Sequence, residues 1–245
     1  MNRPLARGLT AYGNYVWAKT LKNVESSLMG DNSGRPLDYY NLKLEKGISA
    51  NDVPHTVKIY VDYELPIGRG KALGGGMGKV AGAILGDWSI SAILNYSSGA
   101  PLTFVGSSPL TTGWNGVTNR INIAPGEMKR SGLSPAAFEF STPNSPNNTY
   151  LNNALFSDAA PLTLGTAAYT YAQARSLPRK SEDAGLQKAF RVGDKYRFQL
   201  RAEFLNPLNR HQLGNIVTNI TSPQFGQLIG ASGFRSIQIG TRLDF

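Results

Sequence analysis

The chain has 245 residues, of which 41% are hydrophobic and only 17% charged. That is less charge than the ~25% of an ordinary soluble domain. The absence of cysteine excludes disulfide frameworks, cysteine zinc sites and thiol nucleophiles. A formal charge of +9 raises the possibility of a nucleic-acid partner. The only dense basic cluster is Arg175, Arg179 and Lys180, with no recognition-helix pattern after it, so no nucleic-acid partner is expected. The longest apolar run, Val80 to Leu85, is far short of the ~20 residues of a spanning helix. A membrane protein built of strands escapes that test, because only alternate residues face lipid.

Six segments alternate apolar and polar residues at period two, the pattern of a strand with two unlike faces. The first, Leu9 to Lys19, sets Leu9, Ala11, Gly13, Tyr15 and Trp17 against Thr10, Tyr12 and Asn14. The second, Thr56 to Ile67, sets Val57, Ile59, Val61, Tyr63, Leu65 and Ile67 against Thr56, Lys58, Tyr60, Asp62 and Glu64. The third, Trp88 to Ser98, carries Trp88, Ile90, Ala92, Leu94 and Tyr96 on one face. The fourth, Ser181 to Val192, is less regular and is followed by a Gly193-Asp194 turn. The fifth, Lys195 to Leu205, alternates Tyr196, Phe198, Leu200, Ala202 and Phe204 with Lys195, Arg197, Gln199, Arg201 and Glu203. The sixth, Arg235 to Phe245, sets Ile237, Ile239, Thr241, Leu243 and Phe245 against Gln238, Gly240, Arg242 and Asp244. Each segment is about the ~9–11 residues of a tilted bilayer-crossing strand, and longer than the ~5–6 of a soluble one. Aromatic residues end the apolar faces, as at a membrane–water interface.

The connections alternate in length. Thr20 to His55, Gly99 to Lys180 and Asn206 to Phe234 are long; Gly68 to Asp87 and Gly193-Asp194 are shorter. Outer-membrane barrels place long loops outside the cell and short turns in the periplasm. The turn at Gly193 therefore places Phe245, and Met1 with it, on the periplasmic side. The Gly-rich stretch Gly74 to Gly78 reads as flexible. The Gly99–Lys180 loop, with its run Thr142-Pro-Asn-Ser-Pro-Asn-Asn-Thr, reads as coil. Further strands are expected, if anywhere, near Leu102–Val105 or Ile216–Ile220.

Few residues offer chemistry. Gly74-Gly-Gly-Met-Gly-Lys79-Val80 lacks both the first glycine and the hydroxyl of a phosphate loop. Gly68-Arg-Gly70 lacks the third glycine of a dinucleotide fingerprint, and no helix pattern follows. His55 and His211 have no metal-ligand partner at short spacing. No catalytic, metal or cofactor-binding residue is expected. The polar faces carry Lys58, Asp62, Glu64, Arg197, Arg201, Glu203, Arg242 and Asp244. These are expected to line a wet lumen as a ladder of cross-strand ion pairs, with Arg197 or Arg201 reaching Asp244 or Glu203.

Four stretches then resemble a family. Gly8-Leu-Thr to Tyr15-Val-Trp-Ala-Lys19 is similar to a strand ending Tyr-x-Trp-Ser-Lys, and His55-Thr-Val to Tyr63-Glu-Leu-Pro-Ile-Gly-Arg-Gly-Lys71 to one ending Leu-Pro-Phe-Gly-x-Gly-Lys. Gly86-Asp-Trp-Ser-Ile to Tyr96-Ser-Ser-Gly-Ala-Pro-Leu102 is similar to a Gly-Trp strand with its Ser-Gly-x-Pro loop. Arg201-Ala-Glu-Phe-Leu-Asn-Pro-Leu-Asn209, Ser222-Pro-Gln-Phe-Gly226 and the terminal Phe245 are similar to a closing region. Together they resemble the C-terminal part of a TonB-dependent outer-membrane transporter of the Oar-like kind, which carries a carboxypeptidase-regulatory-like domain at its N-terminus. The resemblance implies a 22-stranded barrel with a plug that takes up scarce nutrients with energy passed through TonB. It also implies that Ile237, Ile239, Gly240, Leu243 and Phe245 are read by the outer-membrane assembly machinery. No plug, TonB-contacting segment or signal peptide is visible in the sequence.

The expectation is an all-β, antiparallel up-and-down meander of about six long strands with long extracellular loops. Residues 1–245 would form one C-terminal segment of a transmembrane barrel in the bacterial outer membrane, unable to transport alone. Its partners would be lipid, the assembly machinery and the rest of the barrel and plug, with TonB reached only through the latter. Two alternatives stand beside it. One is a small closed porin- or adhesin-like barrel. The other is a soluble β-rich glycan- or nucleic-acid-binding module, which predicts that the apolar faces pack in a two-layer core and would be supported by joint burial of Val57, Val61, Phe198 and Ile239.

Overall fold

The computed structural model describes residues 2–5, 8–23, 38, 40–107, 120–130, 138–139, 142, 145–168, 170–192 and 196–245. Its main feature is one seven-stranded antiparallel sheet. The strands are β1 (Asn2–Leu5), β2 (Leu9–Trp17), β3 (His55–Glu64), β4 (Trp88–Ser97), β5 (Arg179–Val192), β6 (Tyr196–Leu205) and β7 (Ser236–Asp244). Each pairs with its neighbours in chain order, so the sheet is an up-and-down meander. Six of the strands run nine to fourteen residues. The period-two reading located all six to within two residues at most boundaries. It missed β1, where Pro4 breaks the alternation; β1 pairs Asn2 with Tyr12 and Leu5 with Leu9. β1 runs antiparallel to β2, toward the turn side. Met1 and the Gly193-Asp194 turn lie outside the described residues.

The register carries the two-faced pattern across the sheet, because side chains directly opposite share a face. Ala11, Val61, Ala92, Ala184, Phe204 and Ile237 form one row. Tyr15, Val57, Tyr96 and Lys180 form another, toward the long-loop end. On the opposite face Thr10, Asp62, Ser91, Gly185, Glu203 and Gln238 stand in line.

The irregularity of the fourth segment now has a physical cause. Glu182 and Lys188 occupy apolar-face positions, opposite Leu94 and Trp88, and both are buried. Each has polar partners from the connections. The Tyr96 hydroxyl donates to Glu182 Oε1 at 3.0 Å, and Arg210 Nε lies 3.1 Å from the same oxygen. Lys188 Nζ donates to the carbonyls of Ile84 (3.0 Å) and Gly86 (2.5 Å) and sits 5.2 Å from the Trp88 ring centroid. Those carbonyls close a short helix, α1 (Lys79–Leu85), inside the 65–87 connection. This connection, read as flexible and helix-free, is an ordered turn. Gly68 N donates to Leu73 O, Leu73 N to Pro66 O, and Trp88 Nε1 to Ile84 O.

The long connections start and finish at one end of the sheet, at Trp17 and His55, Ser97 and Arg179, and Leu205 and Ser236; the short ones join strand ends at the other, Leu5 and Leu9, Glu64 and Trp88, and Val192 and Tyr196. The long ones pack together as a separate layer. Small two-stranded sheets pair Leu21–Lys22 with Gly47–Ile48, Pro101–Leu102 with Tyr171–Arg175, Asn122–Ile123 with Phe156–Ser157, and Gln212–Ile216 with Leu228–Ser232. Bridges Val105↔Asn219 and Thr149↔Gln227 join the second long connection to the third. The expected extra strands near Leu102 and Ile216 thus exist, but they belong to this layer and not to the main sheet. Gly99 marks a close approach inside it: a Cβ there would overlap the Ser176 carbonyl.

The hydrophobic core lies entirely in this loop layer. Phe104, Ile121, Met128, Tyr150, Leu151, Phe156, Ile216, Phe225 and Leu228 are buried together. The rings of Phe104, Phe156 and Phe225 meet with centroids 4.8 to 6.4 Å apart. Burial of each contributes about 1.5–3 kcal/mol. The reading of residues 99–180 as coil is therefore corrected. Proline and asparagine here close short turns: Asn148, within the run read as coil, is buried and bonds Glu139 through both amide atoms. Among the described residues the seven strands contribute no buried hydrophobic side chain. Val57, Val61 and Phe198 are only partly covered, and Ile239 is 72% exposed. This overturns the two-layer soluble alternative. The sheet leaves its apolar face for another solvent.

Candidate functional site

Two surfaces hold the residues able to act: the polar face of the sheet, and the loop layer above it. On the polar face, the eight residues expected to line a lumen do share one side. Lys58 stands between Asn14 and Asn95, Asp62 between Thr10 and Ser91, and Glu64 opposite Ser89. Arg197 stands opposite Asp244. The expected cross-strand ladder is only partly realised, however. Arg201 pairs with Glu203, and Arg242 Nε with Asp244 Oδ1 at 2.7 Å. Both are pairs two residues apart on one strand. Arg201 faces Gly240 and Glu203 faces Gln238, so these two meet along their own strand, whereas Asp244 faces Arg197 yet bonds Arg242. Exposed pairs of this kind contribute ~0–1 kcal/mol. Their role is to make the face wettable. No cluster of His, Asp and Glu able to hold a metal occurs among the described residues.

The loop layer holds two buried ion pairs that the sequence did not reveal. Asp52, 1% exposed, receives Arg175 Nη2 at 2.6 Å and the Thr20 amide at 2.6 Å. Arg175 also donates to the carbonyls of Asp52, Gly99 and Ala172. One guanidinium thus joins the first long connection to both ends of the second. Arg120 repeats the device, donating to Glu45 Oε2 at 2.5 Å and to the Leu44 carbonyl at 2.8 Å. The partners are separated by 123 and 75 residues, so no short-range motif could disclose them. Arg175, read from sequence as one of a basic cluster, is instead the central tie.

Burial of Asp52 alone would raise its pKa. The Thr20 amide and the Arg175 guanidinium, with Lys19 nearby, outweigh that and hold it below the usual 3.8. A carboxylate depressed in the folded state stabilises fully above its unfolded pKa and loses that contribution as pH falls through the folded value. The loop layer is therefore expected to weaken below pH about 4. Melting temperature measured from pH 7 to 2 checks this: Asp52→Asn should flatten the acid limb, and identical slopes in both proteins would exclude the linkage.

The final strand is accessible along its length. Ile237, Ile239 and Leu243 are 56%, 72% and 54% exposed, and Phe245 is 95% exposed. Gly240 adds no side chain, and a Cβ there would meet open space.

These features make a set: strands of bilayer length, an apolar face on which no described hydrophobic side chain is buried, a polar face, and loops sorted by length to opposite ends. The family model of the outer membrane beta barrel domain matches residues 1–238. No curated protein matches the chain, and no solved structure matches it. The chain belongs to the outer membrane beta barrel domain family, and its place is the bacterial outer membrane.

Proposed function

We propose that the chain is the C-terminal barrel portion of a TonB-dependent transporter for nutrient uptake, without catalytic activity. The observation that carries this is the open sheet. Its order ends at β1 on one side and β7 on the other, with no pairing between them among the described residues. Unpaired backbone in hydrocarbon costs several kcal/mol per group, so spanning sheets must close. Closure here calls for additional strands, and the four motif stretches point to the large transporter barrel as their source. In that reading the polar residues from Lys58 to Asp244 face a plug supplied by the same transporter, and TonB is reached through that plug. Nucleic acid has no place among its partners.

A second reading, a small closed porin- or adhesin-like barrel, draws support from β1. The seven strands found are one fewer than the eight of the smallest bacterial barrels. Immunoblotting of outer membranes with antibody to this chain separates the two. The transporter reading expects a heat-modifiable band far larger than 245 residues, in cells that lose uptake when TonB is removed. A band of 245 residues with pore conductance would overturn it in favour of the small barrel.

The last strand is proposed as the assembly signal, through Ile237, Ile239, Gly240, Leu243 and Phe245. Deleting Phe245 is expected to lower the outer-membrane level of the protein several-fold while synthesis continues, as read by fractionation. Undiminished levels would remove the assignment.

A further inference from the structure

Where the loop layer overhangs the long-loop end of the apolar face, it leaves a cavity of about 390 Å³. Its floor is the row Val57, Tyr96 and Lys180, with His55 at the rim. Its roof is Tyr150 and Lys129 from the loop layer. Lys129 Nζ lies 5.7 Å from the Tyr150 ring centroid, and Tyr15 bonds His55 Nδ1 at 2.8 Å. Arg179 borders the cavity as well, and no carboxylate does. Arg175 also lines it but is committed to Asp52. Lys129, Arg179 and Lys180 are exposed, and none of them takes part in a salt bridge among the described residues.

The placement limits what can enter. The floor continues without a break into the face that meets acyl chains: Val57 leads to Val61 and Tyr96 to Ala92. Tyr15 and Trp17, 61% and 65% exposed, flank it as an interfacial aromatic pair does. The long-loop end is the outer leaflet side. An occupant therefore needs an anionic head for the cations and an apolar tail for the strand face. Basic pockets between the helices of other membrane proteins, on the cytoplasmic side, bind phosphorylated head groups; the same chemistry applies here, since Lys and Arg to phosphate are among the stronger charge-assisted contacts. We propose that this notch binds the phosphorylated headgroup of an outer-leaflet glycolipid, with Lys129 and Lys180 on the phosphate and the acyl chains lying along β3 and β4. The site would serve a transporter and a small barrel alike, so its test is separate from theirs.

The protein extracted from outer membranes in detergent is titrated with bisphosphorylated lipid A, dephosphorylated lipid A, and inorganic phosphate. Lys129→Gln with Lys180→Gln is expected to weaken bisphosphorylated lipid A at least tenfold and to leave the dephosphorylated lipid unchanged. Heat-modifiable migration confirms that the variant is folded; if the double variant fails to fold, Lys129→Gln alone is read against the same three ligands, with a threefold loss expected. Equal affinity of variant and wild type for bisphosphorylated lipid A overturns the site. Displacement of the lipid by inorganic phosphate at comparable concentration overturns the lipid assignment in favour of a free-anion pocket.

Discussion

Arg175→Met is expected to destabilise the loop layer by about 3–5 kcal/mol, because it strands the buried Asp52 carboxylate without its cation. The cost is that of an uncompensated charge, not the net worth of the pair. The double variant Asp52→Asn with Arg175→Met should therefore recover much of the loss. Hydrogen exchange at Thr20, Gly99 and Ala172 is the suitable readout, since their backbones meet at this tie. The main sheet should be unaffected: Asp52 and Arg175 lie in the loop layer, and that layer holds the core. A loss below 1 kcal/mol, or one shared equally by β3 and β4, would show that the layer does not depend on this contact.

Val61→Lys and Ile93→Lys should differ sharply, although both put the same charge on neighbouring central strands. Val61 lies in the middle row of the apolar face, between Ala11 and Ala92. Ile93 stands on the polar face opposite Tyr60 and Asp183, itself 46% exposed. A lysine on the lipid face near the bilayer midplane costs about 2–4 kcal/mol, whereas a lumen position tolerates it. Refolding into phospholipid vesicles, followed through heat-modifiable migration, measures both. Equal tolerance of the two lysines would mean that the assignment of faces is wrong.

How much of this was legible in the sequence follows from the range of the interactions involved. Strand alternation is a local property, and the pleat obeys it residue by residue, so β2, β3, β4, β6 and β7 could be read directly. The fourth strand was blurred by Glu182 and Lys188. Their polar partners, Arg210 and the carbonyls ending α1, come from other connections. Helix α1 has only seven residues and follows a glycine-rich run, too short for a helical period to register. The loop layer was the largest omission. Its core is assembled from scattered single hydrophobic residues, such as Phe104, Ile121, Leu151 and Phe225, brought together from distant turns. Proline, asparagine and serine between them look like solvent-exposed coil in one dimension. In three dimensions they supply turns, as Ser145 does by accepting from the Asn147 amide. The register sets the polar-face residues on one side, but their ion pairs run along strands: Gly240 stands opposite Arg201, and Asp244, although opposite Arg197, bonds Arg242.

The folded loop layer also bears on how this protein meets the outside of the cell. Its described outer surface is shaped by the Asp52–Arg175 and Glu45–Arg120 ties and by an aromatic core. An immune receptor approaching the bacterium would meet a contoured relief whose adjacent patches come from three separate stretches of chain. Antibodies raised against linear peptides from residues 145–168 would find Ser145, Asn148, Tyr150, Leu151 and Phe156 turned inward on living cells. Antigens intended to raise surface-binding antibodies should therefore present all three connections together on an intact sheet.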